Sequence, residues 1–261
     1  MAEVLIESEP APGIVRLTLN RPAMRNALDE ALIGALAAAI ARHGERAATR
    51  VLLLAAAGSA FCAGADLASM RALGRANMAE NAADARRLAD LLAALHRCPK
   101  PSIACVQGAA FGGGIGLVAA CDIAIASADA RLRMPEVRLG LVPAVISPYL
   151  LEAIGPRQAR RYALSGETID AERARQIGLV HEVVAPDALA AAALALAIEV
   201  ASGGQAALAA TKDLLAEVGR LGPGEAAAAR TAQILASVRA GTEAQEGLTA
   251  AIERRPPAWG R

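Results

Sequence analysis

A chain of 261 residues with 27 lysines and arginines against 26 aspartates and glutamates is nearly neutral, at a formal charge of +1, which argues against a nucleic-acid surface as its main business. Hydrophobic residues make up 55%, but this reflects alanine, and no uninterrupted apolar run approaches the ~20 residues that a membrane span requires. Aromatics at 2% leave almost no base-stacking platform, and four cysteines in or beside apolar runs, without metal-ligand spacing, read as buried reduced thiols of a cytoplasmic protein.

The length fits one large domain, or a domain with a substantial appendage. Glu3 lies near a start that has no basic region, so no signal peptide is expected. Residues 4–7 and 14–19 are strand-like runs separated by Glu9-Pro10-Ala11-Pro12-Gly13, which predicts a hairpin with its turn in that segment. From Asn26 or Asp29 to about His43, Leu28, Leu32, Leu36 and Ile40 recur at helical spacing. The continuous apolar run 51–55 predicts a strand covered on both faces. A small-residue loop follows over 58–66, then an amphipathic helix over 77–97 that Pro99 and Pro101 stop.

Residues 103–106 read as a buried strand, followed by Gly108, the triplet Gly112-Gly113-Gly114 and an apolar segment through Cys121. Glycine turns that open onto a helix leave backbone N–H groups pointing outward at the positive end of the helix dipole. A dinucleotide fingerprint does not fit: the glycines are spaced Gly112-x-Gly114-x-Gly116 and the next apolar run, 123–126, follows too soon. A phosphate loop does not fit either, since no G-K-[ST] follows. Close helix packing through small residues accounts for Gly116 and Ala119 in part. An oxyanion hole is the sharper reading, and it needs a second donor from elsewhere in the chain.

Farther on, residues 148–154 predict a helix closed by Gly155-Pro156, with further helices over 158–164 and 170–176 and a short strand over 180–184. Alanine-rich helices are expected over 188–200, 206–218 and 225–239, then a charged terminal segment. A shift near Ser202-Gly203-Gly204 divides a core, residues 1–200, from a C-terminal helical oligomerisation region, residues 201–261. The three histidines have no paired acid or nucleophile at readable spacing and are taken as structural.

The landmarks Asn20-Arg21-Pro22 with Asn26-Ala27-Leu28, then FCAGADL at 61–67, QGAAFGGG at 107–114 with CDIAIAS, and PEVRLGLVP at 135–143 together resemble the crotonase, or enoyl-CoA hydratase/isomerase, superfamily over essentially the whole chain. The resemblance implies an α/β spiral of ββα units with a C-terminal helical region for trimerisation, often doubled to a hexamer. It implies an acyl-CoA thioester as substrate, with no metal or redox cofactor, because coenzyme A is part of the substrate. The two oxyanion donors fall on the N–H groups of Ala65 and Gly113. Substrate contacts fall on Arg25, Ala27, Ala63, Gly64, Asp66, Leu67, Gly112, Gly116 and Pro135. Arg25 suits the pyrophosphate end of CoA as a cation, and Asp66 reads as a loop-fixing residue rather than a proton carrier. Lys212 and Arg254-Arg255 are weaker candidates for reaching a neighbouring subunit's CoA.

Hydratases of this family place one glutamate on the glycine helix and a second in the P-E segment. Here Glu136 matches the second, and Gly116 stands where the first would be. Three functions remain open. One is hydration of an enoyl-CoA; the pattern is close to the branch acting on 3-methylglutaconyl-CoA in leucine breakdown or γ-carboxygeranoyl-CoA in terpenoid breakdown. There, glycine at 116 is expected to remove like-charge repulsion and make room for a second substrate carboxylate. The second is Δ3,Δ2-enoyl-CoA isomerisation by Glu136 alone. The third is a non-catalytic acyl-CoA-binding homologue.

Overall fold

In the computed structural model, which describes residues 3–259, the alternation expected of a two-sided strand is visible residue by residue. Val51, Leu52, Leu53 and Leu54 are all buried in β3 (Val51–Ala56). Leu52 and Leu54 face one apolar core, Val51 and Leu53 the other, because successive side chains point to opposite faces. Six strands form this sheet in the order β1-β2-β3-β4-β6-β9, where β1 is Leu5–Ala11, β2 Ile14–Leu19, β4 Ser102–Val106, β6 Ile123–Ser127 and β9 Glu182–Val184. Within this sheet, among the described residues, only β1 and β2 pair antiparallel. Their hairpin is tighter than expected: β1 runs through Pro10 to Ala11 with an irregularity after Ser8, leaving Pro12 and Gly13 as the turn. Proline is tolerated because β1 is an edge strand.

The larger core lies between this sheet and α1 (Glu30–Glu45), α3 (Met78–His96), α4 (Gly113–Ala120) and α5 (Ser147–Ser165). Asp29 and Asn77 accept from the backbone N–H groups of Leu32 and Glu80 and so start α1 and α3. A short helix between them, α2 (Leu67–Leu73), buries none of its residues and was not legible in the sequence. The two helices expected around Gly155-Pro156 are the two limbs of α5, which bends where Gly155 takes φ 69°. On the other face of the sheet α7 (Leu189–Ala201) covers Ile14, Val51, Leu53, Ile103 and Ile125.

A second sheet, in the order β5-β7-β8, consists of Ala109–Phe111, Arg131–Arg133 and Thr168–Asp170. The strands β5 and β7 are parallel, with Phe111 opposite Arg133. Their continuations, the Gly112 turn and the Pro135-Glu136 segment, therefore leave the sheet side by side. After α6 (Ala171–Gln176) and α7 come α8 (Gln205–Leu221), α9 (Glu225–Ala240) and α10 (Thr242–Ile252). The last of these lies where only a charged segment was expected. Among the residues of α8, α9 and α10 only Ala250 is buried.

Candidate active site

Loops that follow β3 and β4 emerge at the same edge of the main sheet and are stitched together. Cys62 donates its N–H to Ala109 O (2.9 Å), and Phe111 donates to Cys62 O (2.9 Å). Close approach requires glycine here: Gly64 has φ +96°, and a Cβ on it would stand 2.8 Å from Phe111 O. Leu28 brackets the next residue by donating to Gly64 O (2.8 Å) and accepting from Asp66 N–H (3.3 Å). Ala65, opposite Leu28 in that parallel bridge, therefore turns its own N–H to the far side. Gly113 opens α4, so no carbonyl lies one turn back to accept its N–H. Neither N–H has an acceptor among the described residues, and Gly64 and Gly112 are close enough that a Cβ on either would be within 4 Å of the other's Cα. The Gly112 turn itself is pinned by its N–H donating to Arg133 O (3.0 Å).

Glu136 begins a single 3-10 turn, Glu136–Leu139, immediately after Pro135. Its Oε1 lies 3.2 Å from where a Cβ on Gly112 would be. Its Oε2 is buried and without a hydrogen-bond partner among the described residues. Burial pushes the carboxyl above its ordinary pKa, opposed only by a bond from its own backbone. A carboxyl raised in this direction holds a proton more readily than a free one, which suits a group that must accept a proton and then return it. Two unengaged N–H donors and one half-buried carboxyl thus share the space around the Gly112 turn.

The other candidate residues fall around this point in different roles. Arg25 is exposed, takes φ 49°, and its carbonyl accepts from Ala63 N–H (2.9 Å), tying the 21–28 loop to the Ala65 loop. Ala27 is buried beside it. Asp66 caps α2 by accepting from Ser69 N–H (2.9 Å), a bond that holds its carboxyl below the ordinary range. Leu67, the first residue of α2, is 62% exposed. Lys212 is not free to reach a neighbour: its Nζ donates to Asp122 Oδ2 (2.7 Å) and Lys100 O (3.3 Å).

One expectation is overturned. Gly116 leaves no room for a second substrate carboxylate. A Cβ there would fall inside the Ile146 Cγ2 methyl, with Ile146 Cβ at 3.1 Å and Leu92 Cδ1 at 3.4 Å. The notch is filled by hydrocarbon, not by water or charge.

Two contributors were not assigned in the sequence. Asn26 is completely buried at φ 55°; its Oδ1 accepts from Arg21 N–H (2.8 Å) and its Nδ2 donates to the carbonyls of Ala57 (2.9 Å) and Ala60 (2.8 Å). A polar residue in the tight segment after Asn20-Arg21-Pro22 was the available signal. Ile146, eleven residues past Pro135, carried no signal in the sequence.

Residues 9–261 match the family model described as enoyl-CoA hydratase/isomerase. The chain is 35% identical over 239 residues to a putative enoyl-CoA hydratase of Thermus thermophilus, covering 92% of this chain and 94% of that protein. It is 33% identical to the 2,3-dehydroadipyl-CoA hydratase of Escherichia coli over 98% of both. The crystal structure of an enoyl-CoA hydratase from Shewanella pealeana superposes with a TM-score of 0.94 at 38% identity, over 98% of this chain and 96% of that one.

Proposed function

Because the chain belongs to the enoyl-CoA hydratase/isomerase family and has its α/β crotonase-type fold, we propose that it is a carbon-oxygen lyase that adds water to, or removes it from, the α,β double bond of an acyl-CoA thioester. The observation that carries this reading is the Glu136 carboxylate, one oxygen buried and unpartnered, set against the Gly112 turn between the free N–H groups of Ala65 and Gly113. In the hydration direction Glu136 takes a proton from water as the oxygen adds to the β-carbon. The electron pair of the double bond moves onto the thioester oxygen, where the two N–H groups receive the charge. Protonated Glu136 then returns its proton to the α-carbon, so water is added overall and the carboxylate is regenerated. Donors placed for an oxyanion are each worth about 2.7–4 kcal/mol.

Hydration of crotonyl-CoA, followed by loss of the enoyl absorbance, tests this directly. No conversion of any 2-enoyl-CoA by the intact protein would reject it. For the acyl group, 3-methylglutaconyl-CoA is the finer candidate; its β-methyl suits an apolar wall, while its distal carboxylate has to lie away from Gly116. A clear preference for crotonyl-CoA counts against that candidate. Isomerisation is the second reading, favoured by the hydrocarbon-filled notch at Gly116, since a 1,3-proton shift needs one base and no water. Oxygen-18 from solvent appears in the product of hydration and not in that of isomerisation. The same reading places the protein in the cytoplasm as a homotrimer or homohexamer, in keeping with Leu215, Leu235 and Ile252 at 63%, 55% and 82% exposure on α8, α9 and α10. A monomeric mass by light scattering at working concentration would rule that assembly out.

A further inference from the structure

A base that carries protons is ordinarily aimed by a third group hydrogen-bonded to it. Glu136 has none among the described residues: Oε2 is without a partner, and the one bond drawn to the carboxylate comes from its own backbone. Its aim therefore has to come from the segment that carries it. Burial does not fix that segment, since the turn Glu136–Leu139 buries none of its residues and Leu139 is 52% exposed. Its backbone bonds are internal: Arg138 N–H donates to Pro135 O (2.9 Å), Gly140 N–H to Val137 O (3.3 Å) and Leu141 N–H to Glu136 O (2.9 Å). They set the shape of the turn but not its place on the molecule.

The arginines on either side of Glu136 supply the missing ties. Arg133 Nε donates to Gly166 O (2.6 Å), and Arg138 donates to Ser165 O through Nε (3.2 Å) and Nη2 (3.1 Å). The approach is close: a Cβ on Gly166 would stand 3.1 Å from Arg138 Nε and 3.3 Å from Met134 O. Both carbonyls lie at the C-terminal end of α5, where carbonyls lack intrahelical partners and the helix dipole favours a cation. That end of α5 is itself anchored, since Tyr162 is 2% exposed and its hydroxyl accepts from Arg173 Nε (2.7 Å). Arg133 also meets the oxyanion half of the site, because its carbonyl accepts the Gly112 N–H (3.0 Å).

We propose that Arg133 and Arg138 are positioning residues for the reaction: by gripping the Gly166 and Ser165 carbonyls from either side of Glu136, they hold its carboxylate against the Gly112 turn. The proposal rests on the reading of Glu136 as the proton carrier.

The test compares Arg133→Met, Arg138→Met and Arg138→Lys in the intact protein. Each methionine variant should lower kcat and kcat/KM together, with KM kept, by roughly 10–100-fold, since a misplacement of ~1 Å can cost about 10²-fold. Arg138→Lys keeps one donor for Ser165 O and should retain more of kcat, and it preserves the comparison if a methionine variant does not fold. The acid limb of the kcat/KM profile should stay at the parent's pH, because burial and not a cation sets the Glu136 carboxyl. An upward move of that limb would mean that the arginines act by charge and would overturn the proposal, as would an unchanged kcat in both methionine variants. A parent that turns over no enoyl-CoA sinks the hydratase reading instead. Hydrogen exchange needs no substrate and still reads the grip: it should speed up at Gly140 and Leu141 in Arg138→Met, and exchange as slow as the parent's would end the idea.

Discussion

Replacing Glu136 by glutamine keeps its shape and removes its proton chemistry, so enoyl-CoA turnover should fall by about 10²–10⁴-fold. The same substitution has a sign in stability. Burial raises the folded-state pKa of Glu136, so between the unfolded and folded values the native state binds more protons than the unfolded one. Stability from this group is then complete below the unfolded pKa and is lost as pH rises through the folded one. The glutamine variant should melt no lower than the parent at pH 7, with its advantage shrinking as pH falls toward the ordinary carboxylate range. A variant that melts several degrees lower at pH 7 would show that the carboxylate has a stabilising partner. The acid limb of the parent's kcat/KM profile should likewise lie above the ordinary carboxylate range, since the base form of Glu136 is lost as pH falls.

Helix α4 reverses a general rule at Gly116. Glycine to alanine in a helix interior ordinarily stabilises by about 1 kcal/mol. Here the added methyl would overlap Ile146 Cγ2, and a β-branched side chain has little rotamer freedom with which to retreat. Gly116→Ala should therefore destabilise by roughly 1–3 kcal/mol, and adding Ile146→Val should recover part of the loss in a double-mutant cycle by chemical denaturation. Additive losses would mean that the two residues do not meet. The loop before α1 has a comparable keystone. Asn26→Ala leaves Arg21 N–H and the carbonyls of Ala57 and Ala60 without their side-chain partner, at roughly 1–3 kcal/mol for each group left buried and unsatisfied. Because this loop holds Ala63 through Arg25 O, KM for the thioester should rise together with the fall in melting temperature.

For the whole molecule, polar clasps supplement the packing of the C-terminal helices, since α8, α9 and α10 bury only Ala250 among the described residues. Lys212 of α8 reaches Asp122 at the start of β6, and Asp122 also accepts from Ser102 N–H (2.8 Å) and Oγ (2.9 Å). Arg50 donates from Nε to Ala201 O (2.8 Å) and from Nη2 to Gly203 O (2.5 Å) at the end of α7. Glu243 of α10 accepts from the N–H groups of Ala206 and Ala207 at the start of α8. Lys212→Met is expected to loosen α8 while leaving the sheet and the Glu136 site in place. Hydrogen exchange should then rise in 205–221 with kcat unchanged in an assembly that stays intact. Faster exchange in β4 and β6 as well would show that α8 and the sheet open as one unit.

Local chemistry was enough to place the strands that run through the two cores, the Asp29 and Asn77 helix starts, the glycine turns and the family landmarks, because each is a matter of side chains a few residues apart. It fixed Glu136 as the carboxylate to watch and Gly116 as a position without one. What stands beside Gly116 could not be read in this way. Ile146 lies thirty residues on and reaches the notch only because β5 and β7 run parallel and send the Gly112 turn and the Pro135-Glu136 segment out together. The sequence could thus report a missing side chain, but whether its space holds water, charge or hydrocarbon depends on contacts between distant segments, and those exist only once the chain has folded.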